Sequence, residues 1–202
     1  LQSEQTRLDA MASDLDGQLG VRTHTATRLG RAHTEIAGYA QEVSADLVVA
    51  GARGENTLMD LFLGSTASRL LRVAPCPVLI VRHPADEPYR QVLAAVDFSP
   101  VSAAVIDHAL SLAGGAPVQT LHVLGSEVEQ RLRRAKSNLV DITGWLGQLR
   151  SEAEKKLEAL LAPIENSAAV GRLIQPGVPP AAICHCIEES QADLVVVGRH
   201  GY

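Results

Sequence analysis

Glycines spaced as if to hold phosphate are the first chemically suggestive feature of this 202-residue chain. Gly51-Ala52-Arg53-Gly54 follows an apolar run, and after nine further residues Gly64-Ser65-Thr66 opens an amphipathic segment. Glycine lets backbone N–H groups approach an anion with no Cβ in the way, and a helix N-terminus adds unpaired N–H donors and the positive end of its dipole. Ser65 and Thr66 would contribute hydroxyl donors. Arg53 is either a phosphate contact or a solvated loop charge, and glycines alone would also serve as ordinary strand-to-helix turns. No Gly-x4-Gly-Lys-(Ser/Thr) loop is present, so a P-loop NTPase is not supported. Asp97 is a second candidate, because it ends the apolar run Val92–Val96 where an open parallel sheet presents ligand-binding residues; its alternative role is turn capping. Cys184-His185-Cys186 invites a metal. On a helix, however, residues i and i+2 point about 200° apart, so core and surface positions are expected instead. Cys76, just before a buried strand, reads as a small apolar residue, and His122 inside a strand is not expected to be catalytic.

These residues must be positioned by the elements around them, and an internal repeat organises those elements. Ala45-Asp46-Leu47-Val48-Val49-Ala50-Gly51 is echoed by Ala192-Asp193-Leu194-Val195-Val196-Val197-Gly198, an offset of 147 that also carries Gly30 onto Gly177, Ile36 onto Ile183, Glu42 onto Glu189 and Gly54 onto Gly201. That period is too long for a solenoid and suits a domain, so the chain reads as a tandem. In the second copy Val92–Val96 is a strand buried on both faces, and Ser99 and Pro100 are the expected cap and first residue of a helix that stops at Gly114-Gly115. A strand over Val118–Leu124 follows, then a charge-rich helical stretch over Ser126–Leu161 with Gly144 and Gly147 as candidate breaks. A strand over Ala168–Gln175, a helix over Pro179–Ser190 and a strand over Asp193–Val197 complete a β-α-β-α-β-α-β order, hence a parallel doubly wound sheet. In the first copy a helix is expected over residues 1–20, the third strand over Val21–Leu29, a helix over Thr34–Ser44 and the fourth strand over Asp46–Ala50. A helix over Ser65–Val73 and a strand over Pro77–Arg82 follow. The expected organisation is a first domain at 1–84 lacking its first two strands, a linker at 85–90, and a second domain at 91–202 lacking its last loop, helix and strand. A chain truncated at both ends is therefore expected.

Composition narrows the functions. A net charge of −5 gives no electrostatic case for nucleic acid, and 3% aromatic residues supply few stacking platforms. Three cysteines do not make a secreted disulfide framework, and neither a spanning apolar run nor a signal-like N-terminus is seen, so a soluble cytoplasmic protein is expected.

The spacing Gly-x2-Gly-x9-Gly-Ser, followed by a helix and Ala74-Pro75-Cys76-Pro77-Val78-Leu79-Ile80-Val81, resembles the universal stress protein family over nearly the whole chain. Val96-Asp97-Phe98-Ser99-Pro100 and Leu121-His122-Val123 are similar to that family's first and second strands. The resemblance implies two α/β domains, each with a five-stranded parallel sheet of order 3-2-1-4-5 and each incomplete in this chain. It also implies ATP or AMP as ligand, with or without Mg²⁺. By the same resemblance Gly51, Gly54, Gly64, Ser65 and Thr66 complete a phosphate site, Asp97 contacts ribose or adenine, Val123 lies against the base, and Gly198 and Gly201 begin a second phosphate loop. No single copy shows both halves of a site. The expected role is regulatory, with nucleotide changing conformation or assembly and at most slow hydrolysis or autophosphorylation. Domains are expected to pair through their last strands, within the chain or in a homodimer. The alternatives are a nucleotide-free scaffold and a weak nucleotide hydrolase. Neither the Ser-Gly-Gly-x-Asp-Ser loop nor the His-x-Gly-His signature of related nucleotidyl-transfer enzymes occupies residues 97–100.

Overall fold

The computed structural model describes residues 2–52, 63–83, 87–125, 139–165 and 167–199. The chain divides into two compact units, Leu1–Pro84 and Ala85–Tyr202.

The first unit runs α1 (Gln2–Leu19), α2 (Ala32–Glu42), β1 (Val48–Gly51), α3 (Ser65–Val73) and β2 (Val78–Val81). The short apolar strands β1 and β2 pair in parallel, Val48 opposite Val78 through Gly51 opposite Val81, with α3 as the crossover. Helix α3 buries Ala67 and Leu70, three residues apart on one face, and packs against α2. It ends at Ala74, which takes an extended conformation ahead of Pro75, as a residue preceding proline must.

Val21–Leu29, expected as the third strand, is not one. Its threonines instead bond to α1: the Thr23 N–H donates to Asp16 Oδ1 (2.8 Å), Thr25 Oγ1 donates to Asp9, and Thr27 Oγ1 donates to Gln5 Oε1 (2.9 Å). What is missing is a neighbouring strand among the described residues of this unit, and without a ladder an extended segment has no partner for its main chain.

The second unit runs β3 (Val92–Val96), α4 (Ser102–Ala113), β4 (Val118–Leu124), α5 (Leu139–Leu161), a 3₁₀ turn (Ser167–Ala169), β5 (Gly171–Pro176), α6 (Pro179–Ser190) and β6 (Leu194–Val197). All four strands are parallel, in the order β5-β4-β3-β6. This is the 3-2-1-4 part of the expected order, while β1 and β2 supply a 4-5 pair; among the described residues neither sheet has five strands. Leu93 and Leu121 are fully buried with Cys186 of α6, and α5 buries Ala153, Leu157 and Leu161 at four-residue spacing. Helix α5 passes through Gly144 and Gly147 without a break. Residues 126–138 lie outside the described residues.

Helix α4 starts at Ser102, two residues later than expected. Ser99 does not cap it: residues 99–102 form a turn closed by the Ser102 N–H on the Ser99 carbonyl (3.0 Å). At the other end Gly114 adopts the left-handed conformation that stops the helix, as glycine there allows. In the Cys-His-Cys run Cys186 is core and its thiol is pushed up by burial, Cys184 is exposed, and exposed His185 sits 3.3 Å from the Glu189 carboxylate. Cys76 is half-buried.

The repeat is geometric as well as sequential. Gly30 and Gly177 have φ of 153° and 144°, and the non-glycine residues Ser44 and Gln191 both take left-handed φ, 52° and 54°. Ser44 and Gln191 close their helices in the same way, with the Ala45 N–H on the Ala40 carbonyl and the Ala192 N–H on the Ile187 carbonyl.

Candidate functional site

In the first unit Ala52 joins three elements. Its N–H donates to the Val81 carbonyl (2.8 Å) and its carbonyl accepts the Gly64 N–H (2.8 Å), which seats the start of α3 at the carboxyl end of β1 and β2. The first helical bond runs from the Ser68 N–H to the Gly64 carbonyl, so the N–H groups of Ser65, Thr66 and Ala67 precede the helical ladder. The N-cap has no side-chain hydrogen bond, and the first turn has no acidic residue to offset the dipole. Gly64 sits at φ −58°, ψ 149°, which any residue can adopt. Glycine there therefore contributes the missing Cβ rather than backbone freedom. Ser65 and Thr66 are exposed, as is Gly51 at the end of β1. The arrangement can hold an anion with main-chain N–H groups and two hydroxyls. Arg53 and Gly54 lie outside the described residues.

In the second unit the carboxyl ends of β3, β4 and β6 gather Asp97, Val123 and Gly198. The register pairs Val96 with His122 and Ala95 with Val197, and neighbouring strands lie about 4.8 Å apart, so the three residues share one edge within about 10 Å. Asp97 Oδ1 accepts the Ser99 N–H (3.0 Å) and the Ser102 hydroxyl (3.2 Å). Phe98 takes a left-handed φ of 61°, a conformation that costs a non-glycine residue about 1–2 kcal/mol. Its ring lies 4.1 Å from that of His122, tilted 32°, with Lys156 Nζ 5.8 Å from the ring centroid. His122 Nδ1 is 3.0 Å from the Val96 carbonyl and so carries the proton there. Burial pulls the His122 pKa down, with Lys156 adding to the effect; the Val96 carbonyl and Asp97 oppose it, and the net direction is downward. Val123 is half-buried against the Leu93, Leu121 and Cys186 cluster, and Gly198 is exposed. Gly201 lies outside the described residues.

A sequence model of the universal stress protein family matches residues 1–82 and 88–202. The chain belongs to the universal stress protein family. It is 31% identical over 173 residues to a universal stress protein of Mycolicibacterium smegmatis, covering 78% of this chain and 53% of that protein. Over 68 residues, 34% of this chain and 40% of the relative, it is 41% identical to a universal stress protein of Methanocaldococcus jannaschii. The chain thus spans about half or less of the length of these relatives. A solved universal stress protein from Archaeoglobus fulgidus shares the fold with a TM-score of 0.64 at 21% identity, over 96% of this chain and 65% of that one.

Within this universal stress protein each unit presents one half of the expected constellation. The first unit carries Gly51, Gly64, Ser65 and Thr66, while Asp97, Val123 and Gly198 belong to the second. Ser102 and Phe98 were not singled out from sequence. The spacing Asp-x-Ser-x-x-Ser from residue 97 to 102 was the available signal for Ser102, because a short acceptor at a strand end bonds donors a few residues ahead. Among the described residues no helix is long and apolar enough to cross a membrane, and no three His, Cys, Asp or Glu side chains group as a metal site.

Proposed function

We propose that this universal stress protein binds adenine nucleotide, ATP or AMP with or without Mg²⁺, and that occupancy changes its conformation or assembly rather than feeding a dedicated turnover. The observation that carries this reading is the N-terminus of α3. Among the described residues no side chain caps it, the residue before it has no Cβ, and the Gly64–Ala52 bond ties it to the strand end where the glycine spacing begins. These donors fit a phosphate, which α3 would hold through the Ser65 and Thr66 N–H and hydroxyl groups. Gly51, Arg53 and Gly54 would complete that cradle, Asp97 and Val123 would take ribose and base, and Gly198 and Gly201 would begin the second one. The domains would pair through their last strands, β2 in the first unit.

A second reading is a scaffold that works without nucleotide. Calorimetric titration of the purified chain with ATP, AMP and GTP separates the two. On the nucleotide reading ATP and AMP bind in preference to GTP, and Gly64→Val, which sets a branched side chain at the helix entrance, weakens ATP about tenfold or more, with a smaller loss for Ser65→Ala. Absence of binding by the unmodified chain favours the scaffold.

A further inference from the structure

We propose that Ser102 is a positioning residue that orients Asp97 for the nucleotide, and that Ser99, although nearer in sequence, contributes only its main chain. This rests on the nucleotide reading above. The terminal torsion of an aspartate is soft and has no sharp preference, so a carboxylate at a strand end needs donors to hold its plane. Asp97 has two on one oxygen, the Ser102 hydroxyl at 3.2 Å and the Ser99 N–H at 3.0 Å. Ser102 is 1% exposed and its hydroxyl is used, whereas the Ser99 hydroxyl is buried with no partner among the described residues. The same turn fixes both donors: the Ser102 N–H closes onto the Ser99 carbonyl, and Phe98 takes the left-handed conformation with its ring on His122. A carboxylate held before the ligand arrives loses less freedom on binding, which is how a buried hydroxyl that need not touch the ligand raises affinity.

The experiment measures ATP affinity of the full chain for Asp97→Ala, Ser102→Ala and their double variant, with Ser102→Cys and Ser99→Ala alongside, and follows the Asp97 carboxyl ¹³C resonance without nucleotide. Ser102→Ala is expected to weaken ATP about fivefold in the wild-type background and to have almost no effect once Asp97 is Ala, which leaves no acceptor for its hydroxyl, the non-additivity of two residues acting as a unit. Ser102→Cys keeps the volume but offers a weak donor, so it should behave like the alanine variant; Ser99→Ala should leave affinity within about twofold. The Asp97 resonance should move in Ser102→Ala and stay in Ser99→Ala. Additive losses, a Ser102→Cys that binds like wild type, or an unmoved Asp97 resonance would each overturn the proposal. A wild-type chain that binds no adenine nucleotide overturns the function itself, and the resonance then decides separately whether Ser102 holds Asp97.

Discussion

Helices α1 and α5 precede equivalent segments of the repeat and carry the same apolar stripe, Met11, Leu15 and Leu19 in one and Ala153, Leu157 and Leu161 in the other. The first three are 55%, 42% and 65% exposed; the second three are 4%, 0% and 0%. Helix α5 lies against β4 and β5, whereas α1 meets the threonine-bearing segment 23–27, which is not part of a sheet. The aspartates that precede the fourth strands also differ, in their hydrogen bonds. Both are exposed, but Asp193 accepts the main-chain N–H groups of Arg90 and Gln91 at the entry to β3, while its equivalent Asp46 has no such bond among the described residues. An amphipathic pattern specifies which face can be buried, and burial contributes stability only where a second element removes that face from water.

The widest gap between the units is expected at the leucines. Leu157→Ala should destabilise the second unit by about 2–5 kcal/mol, and Leu15→Ala the first by no more than about 0.5 kcal/mol. Hydrogen exchange resolved by unit reads both, because one unfolding midpoint is poorly defined for a two-unit chain. Equal losses would break the comparison. A smaller gap, about 1 kcal/mol, is expected between Asp193→Ala and the nearly silent Asp46→Ala, since only Asp193 holds main-chain donors. Burial pushes the Asp193 carboxyl up, but the N–H groups of Gln91 and Arg90, its own N–H and the Arg90 side chain outweigh it and the net direction is down from 3.8. Its contribution is therefore present above about pH 3.8 and is lost as pH falls through the lower folded value. Acid titration of second-unit stability, compared between wild type and Asp193→Asn, checks this.

The smallest effect belongs to the Phe98–His122 stack. With the folded His122 held below 6.5, the unfolded imidazole takes up a proton first as pH falls, so stability is full above about pH 6.5 and declines below it until the folded ring also titrates. His122→Gln should flatten that part of the second unit's stability profile, and an unchanged slope would show that the ring's burial carries no linkage.

Much of this was legible in the residues. The 147-residue offset carried Gly30 onto Gly177, and the structure extends that equivalence to left-handed Ser44 and Gln191, two different residue types at one position of the repeat. The apolar run Val92–Val96 and the helix Pro179–Ser190 were readable from end to end, because strand burial on both faces and proline at a helix start leave local marks. Val21–Leu29 misled because it was matched to the third strand through the repeat, and a repeat does not record whether a neighbouring strand is there to pair with. Ser99 misled because serine before proline has the form of a helix cap, whereas the Asp97 carboxylate had already engaged its N–H and moved the helix start to Ser102.

The sequence by itself thus determined the tandem repeat, the parallel α/β class, the family, and the glycine, serine and threonine residues at the start of α3, all of which follow from local patterns of apolarity and turn chemistry. Tertiary structure alone decided which stripes are buried, that the Cys186 thiol is core while Cys184 is surface, and that His122 of β4 meets the Phe98 ring beside Asp97. Those outcomes depend on which atoms meet across strands and helices far apart in the chain, and a one-dimensional pattern carries no term for that meeting.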